Sequence, residues 1–150
     1  MIASIRYRKR SPIGGLAADI SAETDDSGKV SPQAVHIDGK LWLEPATGVP
    51  LHWRDLAWMA YGLFLHSGDL NAMHPQGLTV KVREFSFPTS DYVPEVAAFA
   101  MDEWVRKVFD LPPASIGVEY DIDRSCYVFS MGAKVPFSDE GWGVPTCHDS

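Results

Sequence analysis

The densest run of chemically capable side chains is His66-Ser67-Gly68-Asp69-Leu70-Asn71-Ala72-Met73-His74-Pro75. Neutral imidazoles and an ionised carboxylate are good ligands for a divalent cation, so His66, Asp69 and His74 are candidate metal ligands. The same three residues could carry general acid–base chemistry, with Asp69 orienting one of the histidines. Their spacing matches no helix-borne or Cys/His metal motif. The structural alternative for His66 is a position at the C-terminal end of a helix, where the dipole favours a cation.

A second set is Glu119, Asp121 and Asp123, which alternate along one strand and share its polar face. Carboxylates arranged in this way can hold a hard cation, and they also serve as the solvated face of an edge strand. Cys126 sits in an apolar strand pattern and reads as an inert buried thiol. Cys147-His148 places a thiol beside an imidazole, but adjacent residues of an extended chain point apart. Arg6, Arg8, Lys9 and Arg10 form a basic cluster suited to an anionic partner. Trp53, at the start of a helix, and Trp142, between Gly141 and Gly143, are the aromatic candidates for a contact surface.

The elements that would position these groups follow from periodicity. Ile2 to Tyr7 is a short strand and Leu16 to Glu23 another, followed by the turn residues Thr24-Asp25-Asp26-Ser27-Gly28. Ala34 to Ile37 and Leu41 to Leu43 flank Asp38-Gly39, a pair suited to a two-residue type I′ turn. A helix is expected from about Trp53 to Ser67, apolar nearly all round from Leu56 to Leu65 and ended by Gly68. Leu78, Val80 and Val82 then alternate with polar residues, after which the apolar positions shift to Phe85 and Phe87. That change of parity predicts a bulge near Arg83-Glu84. Val93, Val96, Ala97, Ala100, Met101, Trp104, Val105 and Val108 mark a second helix over 91–110, capped by Ser90 or Asp91. Asp102 with Arg106 and Glu103 with Lys107 are placed as acid–base pairs on its outer face. Two strands follow, Ile116 to Ile122 and Cys126 to Met131.

The expected fold is α+β: a largely antiparallel sheet with two helices packed on it, in the order β-β-β-α-β-α-β-β. Residues 1–131 form the single domain, and 132–150 form a Gly/Pro-rich C-terminal tail. The succession of a strand over Val80 to Phe87, then Ser90-Asp91, then a helix over Val96 to Val108 resembles the ribosomal-protein S5 domain-2-like superfold, which includes domain IV of translocating elongation factors. The resemblance covers about half the chain. It implies a topology and transfers no activity.

The chain has 150 residues, of which 45% are hydrophobic and 22% charged, enough to build one core and too apolar for wholesale disorder. No apolar run approaches the roughly 20 residues of a bilayer-spanning helix. No export signal core is evident in the first residues, and two cysteines do not make a disulfide framework, so a cytoplasmic location is expected. Net charge is −7, and the four basic residues near the start leave the rest still more acidic. Nucleic acid is a poor partner for such a body, because counterion release needs clustered Lys and Arg. The leading expectation is therefore a small acidic binding or accessory protein acting by protein–protein or self-association, without a cofactor. Inhibitor, immunity and regulatory roles all fall in that class. A small enzyme with its site near His66–His74 is the alternative. RNA binding through Arg6, Arg8 and Arg10 ranks third.

Overall fold

The computed structural model describes residues 2–49 and 51–131. The chain opens with a long hairpin of β1 (Ile2–Ser11) and β2 (Gly14–Asp25), turned by Pro12-Ile13. Both strands run longer than the sequence alternation suggests. The glycines account for part of this. Gly15 has φ +144°, and a Cβ there would lie 2.2 Å from the Lys9 carbonyl, so only glycine lets the two backbones pair this closely.

Next come β3 (Val35–Asp38) and β4 (Leu41–Pro45), the helices α1 (Trp53–Phe64) and α2 (Ser67–Met73), and β5 (Leu78–Ser86). A short 3-10 turn (Thr89–Asp91) leads to α3 (Val96–Phe109), and β6 (Gly117–Asp121) and β7 (Cys126–Ser130) close the described chain. The order thus differs from expectation in having four strands before the first helix, and three α-helices instead of two. Among the described residues no helix is long and apolar enough to cross a membrane.

Five strands make one sheet in the order β1-β2-β5-β4-β3, antiparallel except for the parallel pair β4–β5. The hairpin β6–β7 forms a separate two-stranded sheet. The register between β2 and β5 shifts at Ser21/Ala22, leaving Arg83 as the extra residue. This is the bulge that the change of parity predicts. It lets Val82 and Phe85 both point inward, against Ala22 and Ile20 respectively.

One face of the sheet is apolar and covered by helices. Ile5, Ile20, Leu41, Leu43, Val80 and Val82 join Trp58, Met59, Leu63, Val96, Met101 and Trp104 in a single core cluster. Within α3, Val96, Ala100 and Trp104 are fully buried, so the inward face is the one the periodicity selects. The Trp104 indole also donates to the Ala3 carbonyl of β1 at 2.9 Å. Helices α1 and α3 cross in contact at Gly62, where a Cβ would sit 2.4 Å from the Ala98 carbonyl oxygen.

Three local expectations are corrected. Helix α3 begins at Val96, after Glu95, and neither Ser90 nor Asp91 caps it, because Thr89–Asp91 turns separately and Val93-Pro94 interrupts the path. The β3–β4 turn is centred on Gly39-Lys40, with Asp38 paired to Leu41. Only Gly39 takes positive φ (+59°), the pattern of a type II′ turn and not type I′. Asn71 of α2 clasps this turn, accepting from Lys40 N and donating to the Asp38 carbonyl, both at 3.0 Å. Finally, Gly68 does not end the first helix, since α1 stops at Phe64 and Gly68 lies inside α2.

Candidate functional site

The segment carrying His66, Asp69 and His74 is helical, and the helix separates their roles. His66 stands just before α2 and is buried, with only 4% of its surface exposed. Its Nε2 lies 2.6 Å from Oδ1 of Asp102 in α3, itself buried. Since a carboxylate accepts, Nε2 carries the proton. The other carboxylate oxygen of Asp102 accepts from Arg106 Nε at 3.0 Å. The pair Asp102–Arg106 is the one expected from i,i+4 spacing. Its position is corrected, however: Asp102 belongs to the interior, where it ties the α1–α2 junction to α3. Asp69 is exposed. His74 faces elsewhere, with Nδ1 2.8 Å from the Leu70 carbonyl and its ring edge-on to Phe109. The three residues do not converge.

Glu119, Asp121 and Asp123 are likewise apart in function. Asp121 Oδ1 accepts from the backbone N–H groups of Asp123 and Arg124 at 2.9 and 3.1 Å, which closes the β6–β7 turn. Glu119 stays exposed on β6, and Asp123 lies in the turn itself. Among the described residues no group of three or more His, Cys, Asp or Glu side chains is arranged to hold a metal ion.

Cys126 is only half-buried and is disulfide-bonded, which corrects the reading of an inert buried thiol. Cys147, Trp142 and the whole 132–150 segment lie outside the described residues.

A second polar cluster, which the sequence pattern does not single out, joins the start of α1 to the approach to α3. The Tyr92 hydroxyl donates to Asp55 Oδ1 at 2.6 Å, and the Tyr92 ring stacks on Phe87 with centroids 3.6 Å apart. Burial, together with the Asp55 carboxylate and nearby Glu95, pushes the Tyr92 phenol far above its ordinary range. Tyr92 is thus a fixed donor. The chemical signal available in the sequence was weak: an acid in the first turn of a helix reads as a dipole partner.

Two surface features remain. Along the outside of α1, Trp53 and Phe64 expose 50% and 45% of their areas, and Ala57 and Ala60 lie half-buried between them. These positions follow i, i+4, i+7 and i+11, one stripe of the helix. The all-round apolar helix is therefore covered on its inner side and partly exposed along this line.

The other feature is β1. Arg6, Arg8 and Arg10 project from its exposed face, with Arg8 2.8 Å from Asp19 on β2. A cleft of about 710 Å³ runs between β1, represented by Tyr7 and Lys9, and the consecutive residues Ile116 to Asp121 of the β6 region. Phe99 of α3 also lines it. Burial, the carboxylates of Glu103 and Asp102, and the surrounding apolar wall hold the Tyr7 phenol neutral well beyond its usual titration range.

No protein-family model, curated protein or solved structure matches the chain.

Proposed function

We propose that the protein is a binding or accessory protein that works through association, with the outward stripe of α1 as the surface that pairs two copies. The observation carrying this reading is the symmetry of the stripe. Trp53, Ala57, Ala60 and Phe64 are spaced symmetrically about the helix midpoint. When two such helices pack antiparallel about a two-fold axis, Trp53 of one copy meets Phe64 of the other and Ala57 meets Ala60. Small residues at the centre permit close approach, and the large aromatic residues fill the flanks. A two-fold interface requires this kind of self-complementarity. Half-exposed Trp53 and Phe64 also leave apolar area that a second copy would remove from water.

The inward tying of His66 by Asp102 and the dispersal of Asp69 and His74 leave the enzyme alternative without a convergent geometry to favour it. The disulfide at Cys126 favours an oxidising compartment over the reducing cytoplasm.

Sedimentation velocity over a hundredfold concentration range tests the pairing. The expected result is a concentration-dependent shift to a dimer, abolished by Phe64→Glu with thermal unfolding nearly unchanged. A species that stays monomeric at every concentration, or a dimer indifferent to Phe64→Glu, overturns it.

A further inference from the structure

The edge of β1 is open along part of its length and closed at both ends. Strand β2 pairs with one side only, and among the described residues no strand pairs with the other. At one end Trp104 and Lys107 of α3 donate to the carbonyls of Ala3 and Ser4. At the other, the Ser11 hydroxyl meets the Tyr127 hydroxyl of β7 at 2.8 Å. Between these two clasps lie residues 5–10, a run of roughly 20 Å at the rise of a strand. The 710 Å³ cleft opens beside it, and its far wall is Ile116 to Asp121 together with Val128 and Ser130 of β7. Tyr7 and Lys9, alternate residues that share the inner face of β1, form the near wall, so the cleft lies over that face and beside the strand's outer edge.

The chemistry of this edge selects among possible occupants. Arg6, Arg8 and Arg10 alternate on one face, and Lys9 lies in the cleft. A strand added here would set its own alternate side chains opposite the arginines, about 4.5–5.5 Å away at Cβ. A second copy of β1 would bring arginine against arginine, which is destabilising. A nucleic acid would bring its phosphates against Glu119 and Asp121 on the far wall, within a chain of net charge −7. An extended peptide with acids at every other position meets the arginines on one face and leaves the far wall to its backbone and apolar side chains.

We infer that the outer edge of β1 binds an extended peptide carrying acidic side chains at alternate positions, by strand addition beside the cleft between β1 and β6. This surface is distinct from the α1 stripe and does not depend on it.

Fluorescence anisotropy with a labelled peptide of alternating glutamate and valine provides the test, using the full chain. The alternating peptide should bind, and one of equal composition with its glutamates clustered should bind about tenfold more weakly. Methylating the peptide's backbone nitrogens should abolish binding, because strand addition needs those donors. The double variant Arg6→Glu, Arg10→Glu should weaken binding by about tenfold or more, while Phe64→Glu leaves it unchanged. Equal binding of the two peptides, tolerance of backbone methylation, stronger capture of an RNA oligonucleotide, or no binding to any peptide would each overturn the proposal.

Discussion

On the helix-covered face of the sheet, Leu43 and Val80 lie side by side and retain no exposure, and Ala22 retains none beside Val82. One residue further along the same strands, Glu44, Lys81 and Glu23 form a cross-strand row on the opposite face. There Lys81 reaches Asp25 at 3.2 Å and Glu44 at 3.9 Å, while Arg83 pairs with Glu23. Both faces come from the same alternation, yet they differ in how much each contact is worth. On the inner side a lost group leaves a void or an unpaired buried charge, and each costs several kcal/mol. On the outer side water replaces a lost partner, and exposed ion pairs are worth about 0–1 kcal/mol. Stability is thus concentrated on one face, and the other tolerates changes of charge at little cost.

The sharpest way to break this comparison is at the buried imidazole. His66→Ala removes the proton that Asp102 accepts and leaves a buried carboxylate held by Arg106 alone. The expected loss is about 3–5 kcal/mol in denaturant titration. A loss under about 1 kcal/mol would place this pair among the surface contacts.

A smaller effect is expected at the crossing of α1 and α3. Gly62→Ala introduces one methyl group 2.4 Å from a backbone oxygen, so the helices must separate. Overpacking of this kind costs about 1–3 kcal/mol, against the usual gain from Gly→Ala within a helix. A stabilised Gly62→Ala protein would show that the seam has slack.

The smallest effect belongs to the outer face. Hydrogen bonds from Ser27 and contact with Lys81 hold the Asp25 carboxyl down at about 2. A carboxyl lowered in the folded state contributes its stability above the unfolded value near 4, and that contribution disappears as pH falls through about 2. Asp25→Asn should flatten the acid limb of the stability–pH profile in this window, while costing less than about 1 kcal/mol at neutral pH. An unchanged acid limb would remove Asp25 from the account.

Much of the frame was legible because period and parity report burial directly. The switch from Val82 to Phe85 located the bulge, and the Val96–Ala100–Trp104 spacing located the inward face of α3. Asp102 misled for a physical reason: four residues before an arginine, it has the signature of a surface pair. The partner that draws it inward, His66, is distant in sequence. The His66–His74 segment reads as a loop because Gly68, Asn71 and Pro75 are turn residues. Leu70, fully buried, and the clasp of Asn71 on the Gly39-Lys40 turn anchor it as a helix. Tertiary context overrides propensity there. The open edge of β1 was invisible in principle, since strand order is a property of long-range pairing.

That long-range pairing also bears on how the chain reaches its fold. The hairpin β1–β2 and the turn between β3 and β4 join near neighbours, and such units close within microseconds. The pairing of Asp25 with Thr79 and of Asp19 with Ser86 spans more than a third of the chain, and β5 must settle between β2 and β4 before either flank has a continuous sheet. Closing loops of that size loses chain entropy before any packing compensates for it, which places this topology among the slower-folding domains. Until β5 docks, the inner edge of β2 is as open as the outer edge of β1. Arg6, Arg8 and Arg10 on β1 would meet the same residues of a neighbouring half-assembled hairpin, and like charges placed opposite one another disfavour such edge-to-edge pairing.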